Sequence, residues 1–306
     1  MKSTFRKVLK WTLRSLAALV VLLVVAYAVI YFITEKRLSK TYDVDVAHLT
    51  IPTDAESIAK GGHVIATRGC QDCHGKDLAG NIMIDDPGLG RIVASNLTSG
   101  KGGVGGEFSA EDWVRAIRHG VGPDKKPLKV MPSNEFSGIS NADLANMIGY
   151  IKSLPPVDKE LPDHNLKPLA RVLFVAGPLA GLTTADKIDH TQEFTDKLTP
   201  AITAEYGKYL AVSCSGCHGQ DFKGQEMPIP GMKASANITS SGDVGKWTET
   251  QFMTVLKTGK RPDGRQLNNK DMPWEMTRNF TDDEIKSIYL FLRSLPAKQE
   301  LQASAK

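Results

Sequence analysis

The chain has 306 residues, 41 % hydrophobic and 24 % charged, which are the proportions of a folded globular protein and exclude a wholly disordered one. Its formal charge of +4 sits at the start: residues 1–14 hold Lys2, Arg6, Lys7, Lys10 and Arg14 and no acid, and the remainder balances 33 basic against 34 acidic residues. Without clustered Lys and Arg that remainder offers no nucleic-acid surface, and the length allows about two ordinary domains.

The basic start leads into "LAALVVLLVVAYAVIYFI" at 16–33, a run without charge, Pro or Gly. As a helix it would be about 27 Å long, close to the hydrocarbon thickness of a bilayer. A cleaved signal peptide is the rival, with "AYA" at 26–28 as its cleavage site. The apolar run continues through Val29–Ile33, past that point and past the usual length of a secretory core, which favours an uncleaved anchor. The cations preceding it place the N-terminus in the cytoplasm. Everything from about residue 40 then lies outside, and the expected location is the inner membrane, single-pass, with a periplasmic body.

Helices are expected around 55–67 and 201–212, and four more announce their starts. Ser109, Ser140, Thr248 and Thr281 stand at N-cap positions, with Asp112, Asp143, Gln251 and Glu284 three residues on. The pairs Phe108/Trp113, Ile139/Leu144, Trp247/Phe252 and Phe280/Ile285 form hydrophobic staples around those caps. No alternating strand pattern is evident, so the expected fold is all-α.

The chain repeats itself. "GCQDCHGKDLAGN" answers "SCSGCHGQDFKGQ", "SNLTSG" at 95–100 answers "ANITSS" at 236–241, and "YIKSLPP" answers "FLRSLPA". The offset is 144 at the cysteines and 141 at Asn96/Asn237 and at the SLP ends, as loop-length changes between duplicated domains would produce. The expected organisation is a basic start and anchor (1–40), a first module (41–157), a connector (158–200), a second module (201–297) and a disordered tail (298–306). The apolar "LARVLFVAG" in the connector should pack on a module or on the interface between them.

All four cysteines lie in the two Cys-x-x-Cys-His motifs. Zinc would need four ligands around one ion, and the pairs lie in separate repeats. A thioredoxin-type dithiol needs a βαβ setting that is absent. Covalent haem attachment fits: two thiols one helical turn apart can add to two vinyl groups, and the next residue supplies an imidazole to iron. Cys70, Cys73, Cys214 and Cys217 are therefore expected to attach two haems c, with His74 and His218 as proximal ligands.

Two methionine pairs coincide between the halves. Met83/Met227 follow their histidines too closely to reach the opposite face of a ring. Met131 and Met272, each followed by Pro, come after a capped helix and are the expected distal ligands. Met276 is the rival to Met272. Pro87-Gly88 and Pro230-Gly231 follow the histidines, and the carbonyls of Pro87 and Pro230 are expected to accept the second imidazole N–H, with an ordinary turn as the alternative. "SGKGGVGG" at 99–106 lacks the Lys-Ser/Thr of a phosphate-binding loop. The other histidines have no counterpart in the opposite half, and only His119 and His190 merit attention near a haem.

Each module resembles a class I c-type cytochrome domain, with CxxCH early, Pro-Gly after it, Met-Pro late and a closing helix ending in "SLP". The stretches "NLTSGKGGVGGEFSAEDWVRAIRHGV" and "NITSSGDVGKWTETQFMTVLKTGKRPDG" resemble the cytochrome subunits of bacterial membrane-bound alcohol and sugar-acid dehydrogenases, which carry three such modules. The resemblance implies a bacterial protein moving electrons outside the inner membrane. A Met-Pro ligand at matching positions in both halves leaves no vacant site for peroxide, so an electron carrier and not an enzyme is expected. Such a carrier moves electrons between a dehydrogenase or quinol donor and a terminal acceptor, with redox proteins such as a terminal oxidase as partners. The alternatives are a cytochrome subunit within a dehydrogenase complex and, further off, a dihaem peroxidase-type enzyme.

Overall fold

The computed structural model describes residues 2–226 and 233–296. The chain begins with one continuous helix, α1 (Lys2–Leu38), of which Thr4–Leu38 is long and apolar enough to cross a membrane. The tail beyond Pro296, Met227 and the Pro230-Gly231 pair lie outside the described residues.

The first half comprises α2 (Ala55–Thr67), α3 (Cys70–His74), α4 (Ala110–His119), α5 (Ser133–Phe136) and α6 (Asn141–Ser153). After α7 (Pro168–Ala176) in the connector, the second half comprises α8 (Ala204–His218), α9 (Glu249–Thr258), α10 (Trp274–Thr277) and α11 (Asp282–Ser294). All four anticipated caps form. The hydroxyls of Ser109, Thr248 and Thr281 accept the N–H of Asp112, Gln251 and Glu284, whose side chains in turn accept the cap N–H. Ser140 caps α6 alone, because Asp143 has a different partner: its carboxylate accepts the Tyr209 hydroxyl at 2.5 Å from the other half.

Each half closes by crossing its first helix over its last. A Cβ on Gly61 of α2 would collide with the Asn146 carbonyl of α6, and one on Gly207 of α8 with the Ser287 carbonyl of α11. The backbones therefore touch where a side chain would hold them apart. Around the first crossing Ile65, Leu78, Trp113, Leu144 and Ile148 form a buried cluster, and around the second Leu210, Phe222, Phe280, Ile285 and Ile288 do the same.

The all-α expectation needs correction. Strands β1 (Asn81–Asp86) and β2 (Gly90–Ala94) form an antiparallel hairpin, extended by β3 (Asn165–Leu166) from the connector. The reason lies in "NIMIDDPGLGRIVA": β-branched residues flank a turn in which the Asp86 carboxylate accepts the N–H of Gly88 and Leu89, both at 2.8 Å. A bulge between Ile82 and Ile84 breaks the alternation that would have betrayed the strand.

The two halves are locked together. The Arg68 guanidinium, 7 % exposed, donates to the carbonyls of Tyr209 (3.1 Å) and Leu210 (3.3 Å) and to Ser213 Oγ (3.3 Å), and lies 4.8 Å from the centre of the Tyr209 ring. His63 Nε2 meets the Glu284 carboxylate at 2.8 Å. The apolar α7 stretch of the connector packs against the outer end of α1 and the sheet, placing Phe174 and Leu182 with Ile92 and Leu38.

Candidate functional site

The two Cys-x-x-Cys-His segments are helical for different local reasons. In the first half Gly69, at φ 72°, breaks the chain between α2 and α3; in the second, Ser213 takes the equivalent place and α8 runs unbroken into the motif. Both then leave the helix through a glycine at positive φ, Gly75 and Gly219. Three residues later Leu78 and Phe222 adopt φ of 56° and 59°, a left-handed conformation costing about 1 kcal/mol each. The cost is offset by burial, since both side chains sit in the core clusters.

All four cysteines are free thiols. Burial pushes Cys70 and Cys214 up to about 12, and raises Cys73 and Cys217 as well. They are protonated at neutral pH and lack the lowered pKa of a reactive dithiol. Burial also lowers the pKa of His74 and His218, so both imidazoles are neutral.

The second nitrogen of each imidazole is engaged. His74 Nδ1 lies 2.8 Å from the Ser95 carbonyl and His218 Nδ1 lies 2.7 Å from that of Ala236. A carbonyl only accepts, so Nδ1 carries the hydrogen and Nε2 keeps its lone pair. This corrects the expectation for Pro87, whose carbonyl instead accepts the Lys167 ammonium at 3.0 Å. Pro87 is occupied in shaping the hairpin turn, too far along it to face the imidazole. Pro230 lies outside the described residues, but the acceptor for His218 is Ala236.

The true acceptors stand one residue before the repeated Asn-x-Thr. Asn96 Oδ1 accepts the Thr98 N–H and hydroxyl at 2.9 and 2.8 Å, and Asn237 Oδ1 accepts those of Thr239 at the same distances. These closed turns fix the preceding carbonyl. "SNLTSG" and "ANITSS" carried that signal, although neither Ser95 nor Ala236 has side-chain chemistry to advertise it.

Met131 packs on the cluster that holds Cys70, and Met272 and Met276 pack on the cluster that holds Cys214. The surroundings of Met131 are unusual. Val130 stands at φ 66°, a strained conformation for a β-branched residue. Two connector contacts hold it: the Val130 N–H donates to the Leu182 carbonyl at 2.7 Å, and the Thr184 hydroxyl donates to the Met131 carbonyl at 3.0 Å. Met276 has a second neighbour, since a Cβ on Gly69 of the first half would lie 3.8 Å from its Cγ. Replacing Met272 by Ala is therefore expected to abolish the thioether absorption of the second half, whereas Met276→Ala should retain it. The near-infrared methionine-to-iron band of the oxidised protein reads the difference, and its survival in Met272→Ala would assign the ligand to Met276.

His119 and His190 do not join this arrangement. Their Nδ1 atoms meet at 3.1 Å, joining the connector to the end of α4, and burial pushes His119 down to about 4.

Between the halves lies Glu135 of α5. A Cβ on Gly216, inside the second motif, would collide with its carboxylate, and burial pushes that carboxyl up to about 7. A carboxyl raised from 4.5 stabilises the fold fully below pH 4.5, and the contribution is lost as pH rises through 7. The bond to Glu284 likewise raises His63 above 6.5, a contribution complete below pH 6.5 and lost as pH climbs through the folded value. Burial works against ionisation of Glu284, but the bonds from His63 and Thr281 outweigh it and hold the pKa below 4.5, so its contribution is in place above that pH. The melting temperature should accordingly fall between pH 6 and pH 8, and Glu135→Gln should flatten part of that slope. A flat wild-type profile would contradict the assignment.

Residues 204–296 match the family model for cytochrome c, and residues 56–151 match that for cytochrome c oxidase, cbb3-type, subunit III. The chain is built from cytochrome c domains. Relatives include the fructose dehydrogenase cytochrome subunit of Gluconobacter japonicus, 26 % identical over 83 % of this chain and 56 % of its own length. The cytochrome c subunit of the quinone alcohol dehydrogenase of Gluconobacter oxydans is 24 % identical over 81 % of this chain and 56 % of its own length. That of the gluconate 2-dehydrogenase of Pantoea cypripedii is 25 % identical over 81 % and 62 % respectively. The chain thus spans little more than half the length of these relatives.

Cytochrome c domains hold covalently bound haem c, and the donor set here suits that group. Each half offers two partly buried thiols, a neutral imidazole with a bare Nε2, and a thioether packed on the same cluster as a cysteine. The first half also contains the Trp113 indole N–H, buried with no hydrogen-bond partner among the described residues.

Proposed function

We propose that this cytochrome is an exported, membrane-anchored dihaem electron carrier that acts as the cytochrome subunit of a dehydrogenase complex, passing electrons onward to a terminal acceptor. Cys70, Cys73, Cys214 and Cys217 tether two haems c, with His74 and Met131 on one iron and His218 and Met272 on the other. Haem c supplies reversible one-electron exchange at its iron. The observation that carries the assignment is the twofold construction of the proximal side, in which a carbonyl fixed by an Asn-x-Thr turn orients each imidazole and selects its tautomer.

The protein's own part is to keep coordination constant. Ser95 and Ala236 hold the imidazoles, and Leu182 and Thr184 hold the Met131 loop from outside the module. With the imidazoles and the Met131 loop held by the fold, little of the protein would have to rearrange on electron transfer. The Arg68 and Tyr209 contacts keep the two centres in one body. α1 confines both to the membrane surface, where quinol and oxidase partners lie. The names of the relatives support the complex over a free shuttle.

Solubilisation from native membranes in mild detergent is the test. A larger dehydrogenase subunit should co-purify in fixed ratio, and its substrate should reduce both haems. Isolation of the cytochrome alone, still reducible by quinol, would favour the free shuttle. Rapid reaction of one haem with CO and peroxide would favour the peroxidase-type enzyme.

A further inference from the structure

α7 reads "PLARVLFVA", and Arg171 is its only charge. Its inner side buries Ala170 and Phe174. Its outer side presents Pro168, Leu169, Val172 and Ala176, all exposed and all apolar, with Leu169 50 % and Val172 37 % exposed. Scattered exposed apolar side chains are ordinary on any protein. A surface helix whose outer face carries no polar residue is not, because that face normally meets water.

The position of the helix identifies what covers it. The Arg171 guanidinium bonds Glu35 at 2.6 Å and lies 4.4 Å from the centre of the Tyr31 ring, while Arg37 donates to the Phe174 carbonyl at 3.3 Å. Thr34, under this contact, is fully buried. α7 therefore lies alongside residues 31–38 of α1. The uncharged run of α1 ends at Ile33–Thr34 and charges begin at Glu35, so this is the level at which a spanning helix leaves the hydrocarbon. Tyrosine at that level is the usual interfacial anchor. Arg37 and Lys167, the latter at the N-cap of α7, flank the Arg171–Glu35 pair, and their charge is suited to anionic headgroups.

We propose that α7 lies in the outer headgroup layer of the bilayer, with Leu169 and Val172 turned toward the acyl chains, so that the first module rests on a phospholipid surface through its connector and sheet. The assignment rests on α1 being an uncleaved span. It adds a second membrane attachment of a different kind, an interfacial helix beside a transmembrane one.

Because haem attachment consumes the four native cysteines, Leu169→Cys and Val172→Cys each introduce one free thiol for a nitroxide label. The full-length cytochrome is placed in phospholipid nanodiscs, and collision of the label with oxygen, which concentrates in lipid, is compared with collision with a water-soluble nickel chelate. Leu22→Cys reports the middle of the span and Glu205→Cys, exposed on the second module, reports water. The oxygen-to-nickel ratio at 169 and 172 should be several-fold above that at 205 and below that at 22. A ratio equal to that at 205 would put the helix in water and overturn the proposal. Poor access to both reagents would mean a protein partner covers the face, and would overturn it equally. A water-like ratio at 22 would instead remove the anchor itself, and the interfacial helix with it. If one variant fails to fold, the other carries the measurement.

Discussion

Cys214→Ser combined with Cys217→Ser is expected to yield a cytochrome with half its haem and a second module that no longer unfolds cooperatively. Cys214 packs on the cluster formed by Leu210, Phe222, Phe280 and Ile285, so the attached porphyrin would complete that core. Aromatic residues make up only 7 % of the chain, leaving little else to fill the space. The equivalent change at Cys70 and Cys73 should do the same to the first module and spare the second. Pyridine haemochrome content with intact mass gives the stoichiometry, and calorimetry gives the number of transitions. Full haem content in either double variant would remove the attachment assignment.

A second large effect is expected at the helix crossings. Gly61→Ala and Gly207→Ala each place a methyl group against a backbone carbonyl, of Asn146 and Ser287 respectively, and a carbonyl cannot swing aside as a side chain can. The helices must separate, at about 3 kcal/mol, the upper end of what overpacking usually costs. Gly138→Ala is the control: nothing lies within 4 Å of its new Cβ, and the change should stay within about 0.5 kcal/mol. Denaturant titration of the haem-loaded protein measures all three. Near-neutral behaviour at Gly61 would mean the two helices are less tightly apposed than described.

How far the sequence revealed this structure depended on how local the governing chemistry is. The caps at Ser109, Ser140, Thr248 and Thr281 were legible because N-cap and N3 lie within four residues and bond each other directly. The helices entering both Cys motifs also formed where expected, with the second running on through the motif to His218. The hairpin at 81–94 was not, because its bulge interrupts the period-two pattern and its turn doubles as a Pro-Gly pair with another plausible use. The acceptors Ser95 and Ala236 act through backbone carbonyls, which any residue supplies, so only the neighbouring Asn-x-Thr turns betray them. The glycines at 61 and 207 gave no warning either. Their partners are 85 residues away in one half, Gly61 to Asn146, and 80 in the other, Gly207 to Ser287, and nothing nearby in the chain shows that two backbones must touch there.

The buried Arg68 has a kinetic consequence. Its donors end on the carbonyls of Tyr209 and Leu210, one turn before the second Cys-x-x-Cys, while its own backbone leads directly into the first. The separation of the two proposed haem sites is thereby fixed when the polypeptide folds. Internal transfer should be insensitive to solvent viscosity, leaving only encounters with external redox proteins to be slowed by a thickened medium.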